Sequence, residues 1–168
     1  MQPILTGGKH ERSRRAGTEN VPAIAGLGVA AHLAARKMAT EGARVGALRD
    51  RLEAGILKRV PGTVVNGAPQ LRVPNTTNIS FDRVEAESLL IALDLDGIAV
   101  STGSACSSGT LEPSHVLRAM GFPAHRTQNS LRFSLGLFST EEEVDRVIEI
   151  LPQLVEKLRG LTRKTVSA

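Results

Sequence analysis

The sequence contains no tryptophan and no tyrosine, and aromatic residues make up only 2 % of it. That excludes a sheet of base-stacking aromatics and the usual aromatic-rich binding surface. The core must be built from Leu, Val, Ile and Ala. Cysteine is nearly absent too. Cys106 stands alone, which excludes an intramolecular disulfide framework and a multi-cysteine zinc site. No run approaches ~20 uninterrupted apolar residues, so no helical membrane span is expected. The opening stretch Met1-Gln2-Pro3-Ile4-Leu5 runs into Gly7-Gly8-Lys9-His10 without an apolar core, so no signal peptide is expected either. No His-x-x-x-His pair or carboxylate cluster suggests a metal site. A cytoplasmic protein with a reduced thiol is the expectation.

What is present fits one domain. The chain has 168 residues, 41 % of them apolar and 23 % charged. A chain of that size buries roughly 70 % of its unfolded surface. The net charge of +4 raises the question of nucleic acid. The charge is mostly dispersed, however, and no nucleic-acid partner is expected. The one basic run is Lys9, His10, Arg12, Arg14 and Arg15, with Glu11 inside it. A solvated loop and an anion-binding loop at an active site are both open readings of it.

The first stretch, residues 1–20, reads as an irregular loop. From about Val21 to Arg59 the pattern is helical, with Asn20 as a plausible N-cap and Pro22 in the first turn. Ile24, Leu27, Ala31 and Ala34 recur at helical spacing, and so do Val45, Leu48, Leu52 and Ile56. Gly42 and Gly46 leave open one long helix or two. Strands are predicted at Thr63–Val65, Thr77–Phe81, Ile98–Ser101 and Leu131–Leu135. Helices are predicted at Glu85–Leu95 and Pro113–Met120, the latter stopped by Gly121. Thr140-Glu141-Glu142-Glu143 is a capping box opening a last helix, whose inner face carries Val144, Val147, Ile148, Leu151, Val155 and Leu158. The irregular alternation of elements predicts an α/β chain of the α+β type: a long helix and a small sheet covered by helices on one side.

Three places suit chemistry. Cys106 lies in Ser104-Ala105-Cys106-Ser107-Ser108-Gly109, just past a predicted strand. Structural cysteines favour apolar runs, and this one has small polar neighbours; an inert thiol and a reactive thiolate both remain open. Arg132 lies in Leu131-Arg132-Phe133-Ser134-Leu135, where alternation puts it on the face opposite its apolar neighbours. It is either an exposed strand arginine or a bidentate clamp for a carboxylate. Thr18, in Gly17-Thr18-Glu19-Asn20, precedes a helix N-terminus near several arginines. It either caps that helix or meets a phosphate.

Read together, four segments resemble one family. They are His10-Glu11-Arg12 through Arg15-Ala16-Gly17-Thr18-Glu19-Asn20, the loop Ser104-Ala105-Cys106-Ser107-Ser108-Gly109, Leu111-Glu112-Pro113-Ser114-His115-Val116-Leu117, and Leu131-Arg132-Phe133-Ser134-Leu135-Gly136 followed by Glu141-Glu142-Glu143-Val144-Asp145. In that order they resemble the pyridoxal-phosphate-dependent cysteine desulfurases of the NifS/IscS-like branch, class-V aminotransferases in the wider sense. The resemblance implies the C-terminal portion of a fold-type I enzyme with a small, mostly antiparallel sheet. Residues 1–20 would form an active-site and dimer-interface loop, and residues 21–168 the C-terminal small domain. It further implies sulfur removal from L-cysteine, with pyridoxal phosphate as electron sink, L-alanine as product and a persulfide on Cys106. Arg132 would hold the substrate carboxylate, and Thr18 the cofactor phosphate across a homodimer interface. The persulfide would pass to an acceptor such as an iron–sulfur scaffold, with a transient iron–sulfur contact through Cys106 as a further implication.

One departure stands out. The family's cofactor lysine lies in a Ser-x-His-Lys motif. Lys9, Lys37, Lys58, Lys157 and Lys164 all lack that context. Lys9 also stands where the family often has a glycine. The resemblance therefore implies that this chain alone is inactive. The alternative is a stand-alone persulfide carrier or accessory module that does without pyridoxal phosphate.

Overall fold

The computed structural model describes residues 2–102 and 114–166, with residues 162–166 as backbone. Two compact units divide inside the first long helix, Met1–Ala39 and Thr40–Ala168.

In the first unit, a loop containing a single turn at Glu11–Ser13 leads into helix α1, Val21–Arg59. Asn20 caps that helix as the sequence predicts: its Oδ1 accepts from the Ala23 N–H at 3.1 Å. Gly42 and Gly46 do not break α1, which runs as one helix into the second unit. Its N-terminal half differs from expectation. Ile24 and Leu27, spaced as an inner face, are exposed, as are Val21, Val29 and Leu33. Helical spacing marks an apolar face but does not supply its partner.

In the second unit, β1 (Thr63–Val65), β2 (Thr76–Phe81) and β3 (Ser130–Ser134) form an antiparallel sheet in the order β1-β2-β3. Thr63 pairs with Phe81, and Asn78 pairs with Arg132. Alternation then sorts the side chains. Ile79, Phe81, Leu131 and Phe133 point to one face and are buried. They pack with Leu48, Leu52 and Ile56 of α1, with Leu89 and Leu93 of α2 (Ala86–Leu95), and with Val144, Leu151 and Val155 of the last helix. Each such side chain contributes about 1.5–3 kcal/mol when fully buried. The expected sheet with helices over one side is therefore present.

The predicted strand at Ile98–Ser101 shrinks to one bridge, Ser101 opposite Arg132. The reason is local. The Ile98 N–H donates at 2.9 Å to the Leu93 carbonyl at the end of α2, so pairing with β3 begins only beyond it.

Helix α3 (His115–Ala119) is shorter than predicted; Ser114 caps it by accepting from the Leu117 N–H at 3.4 Å. Gly121 ends it as expected, with φ +81° and the Phe122 N–H reaching back to the Leu117 carbonyl at 3.2 Å. His125 belongs to the short helix α4, Ala124–Gln128. Helix α5, Glu141–Val166, opens on the predicted capping box: Thr140 N–H donates to Glu143 Oε2 at 3.1 Å, and Glu143 N–H to Thr140 Oγ1 at 3.3 Å.

Candidate functional site

Arg132 sits in the middle of β3 on the face opposite Leu131 and Phe133, and it is exposed. No carboxylate among the described residues pairs with its guanidinium. Its backbone is fully engaged on one side: Arg132 N–H donates to Ser101 O at 2.6 Å, and Ser101 N–H donates to Arg132 O at 3.1 Å. Both of its ladder groups therefore face Ser101. The pairing with Asn78 on the other side is then the narrow, non-hydrogen-bonded kind, with Cα atoms about 4.5 Å apart and side chains close. Two pairs further along the same ladder, Ser80 and Ser130 stand in the equivalent relation, and their hydroxyls meet at 2.8 Å.

The face that bears Arg132 is polar and organised. Asn66, just past β1, donates from Nδ2 to Asn78 Oδ1 at 2.6 Å, Ser80 Oγ at 2.9 Å and Ser130 Oγ at 3.0 Å. Its Oδ1 accepts from Arg126 Nε at 2.7 Å. Arg126 in turn donates to the Val65 carbonyl at 3.3 Å and lies 4.2 Å over the Phe122 ring. Ser130 Oγ closes the circuit by donating to the Arg126 carbonyl at 2.5 Å. Asn66, Ser80 and Ser130 are buried, so each needs these partners. None of the three stands out in the sequence alone. Alternation within β2 and β3 could have placed Asn78, Ser80 and Ser130 on Arg132's face, but nothing local connects Asn66 or Arg126 to them.

In the first unit, Thr18 is exposed and makes no hydrogen bond among the described residues. The cap role falls to Asn20, which leaves the Thr18 hydroxyl uncommitted. Gly17 beside it has φ +90°, a conformation that glycine takes without strain. Arg15 Nη1 donates to the Gly17 carbonyl at 3.5 Å, and His10 Nδ1 lies 3.5 Å from Glu19 Oε1. Glu11, Arg12 and Ser13 all take positive φ, between 49° and 64°. Non-glycine residues there cost roughly 1–2 kcal/mol each.

Cys106 and its neighbours lie outside the described residues. A further charged group, Glu53 with Arg72 and Thr77, sits on the helix-covered side of the sheet. Burial alone would raise the Glu53 carboxyl, but hydrogen bonds from Arg72 and Thr77 outweigh it and hold the group below the ordinary carboxylate range. This cluster joins α1 to β2 and reads as structural. Among the described residues no group of side chains could hold a metal ion, and no helix is long and apolar enough to cross a membrane.

Comparison with known proteins bears on the family and the fold. The family model described as Aminotransferase class-V matches residues 1–147. The cysteine desulfurase NifS of Azotobacter vinelandii is 53 % identical over 162 residues, covering 96 % of this chain and 40 % of that relative. The cysteine desulfurase IscS of Methanosarcina thermophila is 50 % identical over 165 residues, covering 98 % of this chain and 41 % of that protein. Among solved structures, a NifS-like protein from Rickettsia africae superposes with a TM-score of 0.80 at 34 % identity, over 92 % of this chain and 40 % of that one. The chain thus spans about two-fifths of the length of the curated relatives it matches, 40 % for the NifS protein. With a family model matched from residue 1 to residue 147, the chain belongs to the class-V aminotransferase family.

Proposed function

We propose that this chain is the C-terminal part of a pyridoxal-phosphate-dependent cysteine desulfurase, and that Arg132, Cys106 and Thr18 are its contributions to the active site. The observation that carries the reading is the setting of Arg132. Arg132, whose exposed guanidinium has no carboxylate partner among the described residues, has its backbone paired between Asn78 and Ser101 on a fixed strand. A planar, always-charged fork in that position suits the α-carboxylate of an amino acid. Cys106 follows Ser101 by five residues in sequence.

The residues present fit one part of the cofactor. The free Thr18 hydroxyl, the Gly17 turn and the nearby Arg15 suit a phosphate. The Ser-x-His-Lys motif is absent from this chain, so the lysine that bonds the cofactor must come from elsewhere in the complete protein. When bound, pyridoxal phosphate supplies an electron sink for the carbon skeleton of the amino acid. Arg132 fixes the carboxylate and thereby the orientation of the substrate thiol. The Cys106 thiolate attacks the substrate sulfur; the new S–S bond forms as the carbon–sulfur bond breaks, with its electron pair left on carbon. Carbon gains a proton, L-alanine leaves, and Cys106 retains a persulfide.

The same reading makes the complete protein a homodimer, with Thr18 reaching the partner's cofactor. It makes the protein cytoplasmic, where its thiol stays reduced, and its sulfur acceptor a protein such as an iron–sulfur scaffold. It also proposes that the exposed apolar face of α1, with Ile24 and Leu27, is covered in the complete protein. Alanine release from L-cysteine is the test. The complete protein with pyridoxal phosphate should release alanine and lose that activity with Arg132→Ala, whereas the 168-residue chain alone should not exceed free cofactor. Turnover by the isolated chain, or full activity in Arg132→Ala, would overturn the reading.

A further inference from the structure

The polar face beside Arg132 has a directional property. A guanidinium has donors only. Arg126 Nε donates at 2.7 Å to Asn66 Oδ1, so the Asn66 amide must turn its oxygen to Arg126 and its nitrogen away. That nitrogen lies 2.6 Å from Asn78, which must therefore offer its oxygen. Each amide has one accepting and one donating end. The Asn78 oxygen being taken, its Nδ2 is left as a donor. No acceptor among the described residues takes it. Asn78 is also the narrow-pair neighbour of Arg132 on the same face of the sheet. The donor-only chemistry of Arg126 is thus passed through two amides and delivered as a free N–H beside a free guanidinium.

We propose that Asn78 is a second carboxylate-binding residue, its Nδ2 donating to the anion that Arg132 holds. A guanidinium flanked by an amide donor offers an anion only donors, so it selects a carboxylate over a neutral amide or hydroxyl, each of which would also present hydrogen atoms. The inference rests on the reading that Arg132 binds the substrate carboxylate. It adds that a second, neutral donor sets the angle of that carboxylate, and that the buried Asn66 hub sets the donor.

The test uses the complete protein with its cofactor and compares the parent with Asn78→Ala, Asn78→Asp and Arg132→Ala. Removing a neutral donor to a charged group should raise KM for L-cysteine roughly 10- to 100-fold while kcat changes little. Asn78→Asp should be worse, because its carboxylate repels the substrate and engages Arg132. L-alanine and ethylamine, tested as inhibitors, separate binding from folding, since ethylamine is alanine without the carboxylate. In Asn78→Ala the inhibition constant for L-alanine should rise with KM and that for ethylamine should stay. Equal rises for both, or an unchanged KM in a protein that Arg132→Ala does impair, would overturn the role of Asn78. An Arg132→Ala protein with unchanged KM would instead overturn the reading of Arg132 on which it rests. The parent protein supplies a measurement that no variant can spoil. The Asn78 side-chain N–H resonances should shift on adding L-alanine and stay put with ethylamine, and a parent that shows no such difference refutes the proposal.

Discussion

Gly55 lies on α1 where that helix crosses α5, and a methyl group there has nowhere to go. A Cβ built on its backbone would come within 2.5 Å of Ile148 Cδ1, 2.8 Å of Cγ1 and 3.0 Å of Cγ2. Ordinary contact begins near 3.4 Å, so the nearest atom must retreat by about 1 Å. Rotation of Ile148 cannot clear the site, because atoms on both branches of the side chain are close and Ile χ1 is stiff in a helix. Either the helices separate or Ile148 leaves its rotamer. Overpacking of this kind costs typically 1–3 kcal/mol. Against it stands the gain in helix propensity from glycine to alanine, up to about 1 kcal/mol. Gly55→Ala should thus lose up to about 2 kcal/mol net, or up to roughly 8 °C in melting temperature at the 2–4 °C per kcal/mol expected of this size. Thermal denaturation followed by circular dichroism measures it. Ile148→Val removes the closest atom and by itself costs about 0.5–1.5 kcal/mol. The double variant should therefore be more stable than the sum of the singles predicts. A Gly55→Ala protein more stable than the parent, or strict additivity in the pair, would refute this account of the helix crossing.

Other consequences can be measured alongside it. Because Glu53 is held below its ordinary range in the folded protein, its stabilisation is complete above that range and lost as pH falls through the depressed folded value; melting temperature should fall less steeply in acid for Glu53→Gln than for the parent, and equal slopes would contradict the cluster's role. In the complete protein, Arg132→Lys should recover little of the catalytic efficiency lost in Arg132→Ala, itself down roughly 30- to 1000-fold, because an ammonium cannot form the planar fork; near-normal kinetics in the lysine variant would make Arg132 structural. Cys106→Ser should bind L-cysteine, seen as a change in visible absorbance, yet release no alanine; release at the parent rate would mean that sulfur leaves by another route.

Much of the fold could be read from spacing. Val45, Leu48, Leu52 and Ile56 recur at three and four residues, and all four are buried. Thr140 and Glu143 carry their hydrogen-bond complementarity in four consecutive residues, and Gly121 carries its backbone conformation in its missing Cβ. These signals are local, and locality makes them legible. The Ile98–Ser101 segment failed because whether a β-prone stretch pairs depends on where its first N–H is spent, and Ile98 spends it on α2. Ile24 and Leu27 failed because periodicity describes one surface of a contact that needs two. At the candidate site, Arg132 was visible through alternation. The amide hub behind it was not, since Asn66, Asn78, Arg126 and Ser130 meet only once register and turn geometry are set.

Asn66 is followed by Gly67, and that order has a chemical clock in it. In an Asn-Gly pair the glycine N–H, unhindered by a side chain, can attack the asparagine carboxamide carbon; ammonia leaves, and water then opens the ring to an aspartyl or isoaspartyl residue. In the native fold this attack is opposed, because the Asn66 carboxamide is pinned by Arg126 on its oxygen and by three acceptors on its nitrogen. Unfolded or loosened chains lose that protection. Ageing should therefore convert Asn66 slowly in the native protein and quickly in denaturant, a difference readable by peptide mass analysis. A converted residue has no N–H to give Asn78, so an old preparation should lose grip on anions before it loses helix content. Shelf life would then report on the hub that keeps the Arg132 face in order.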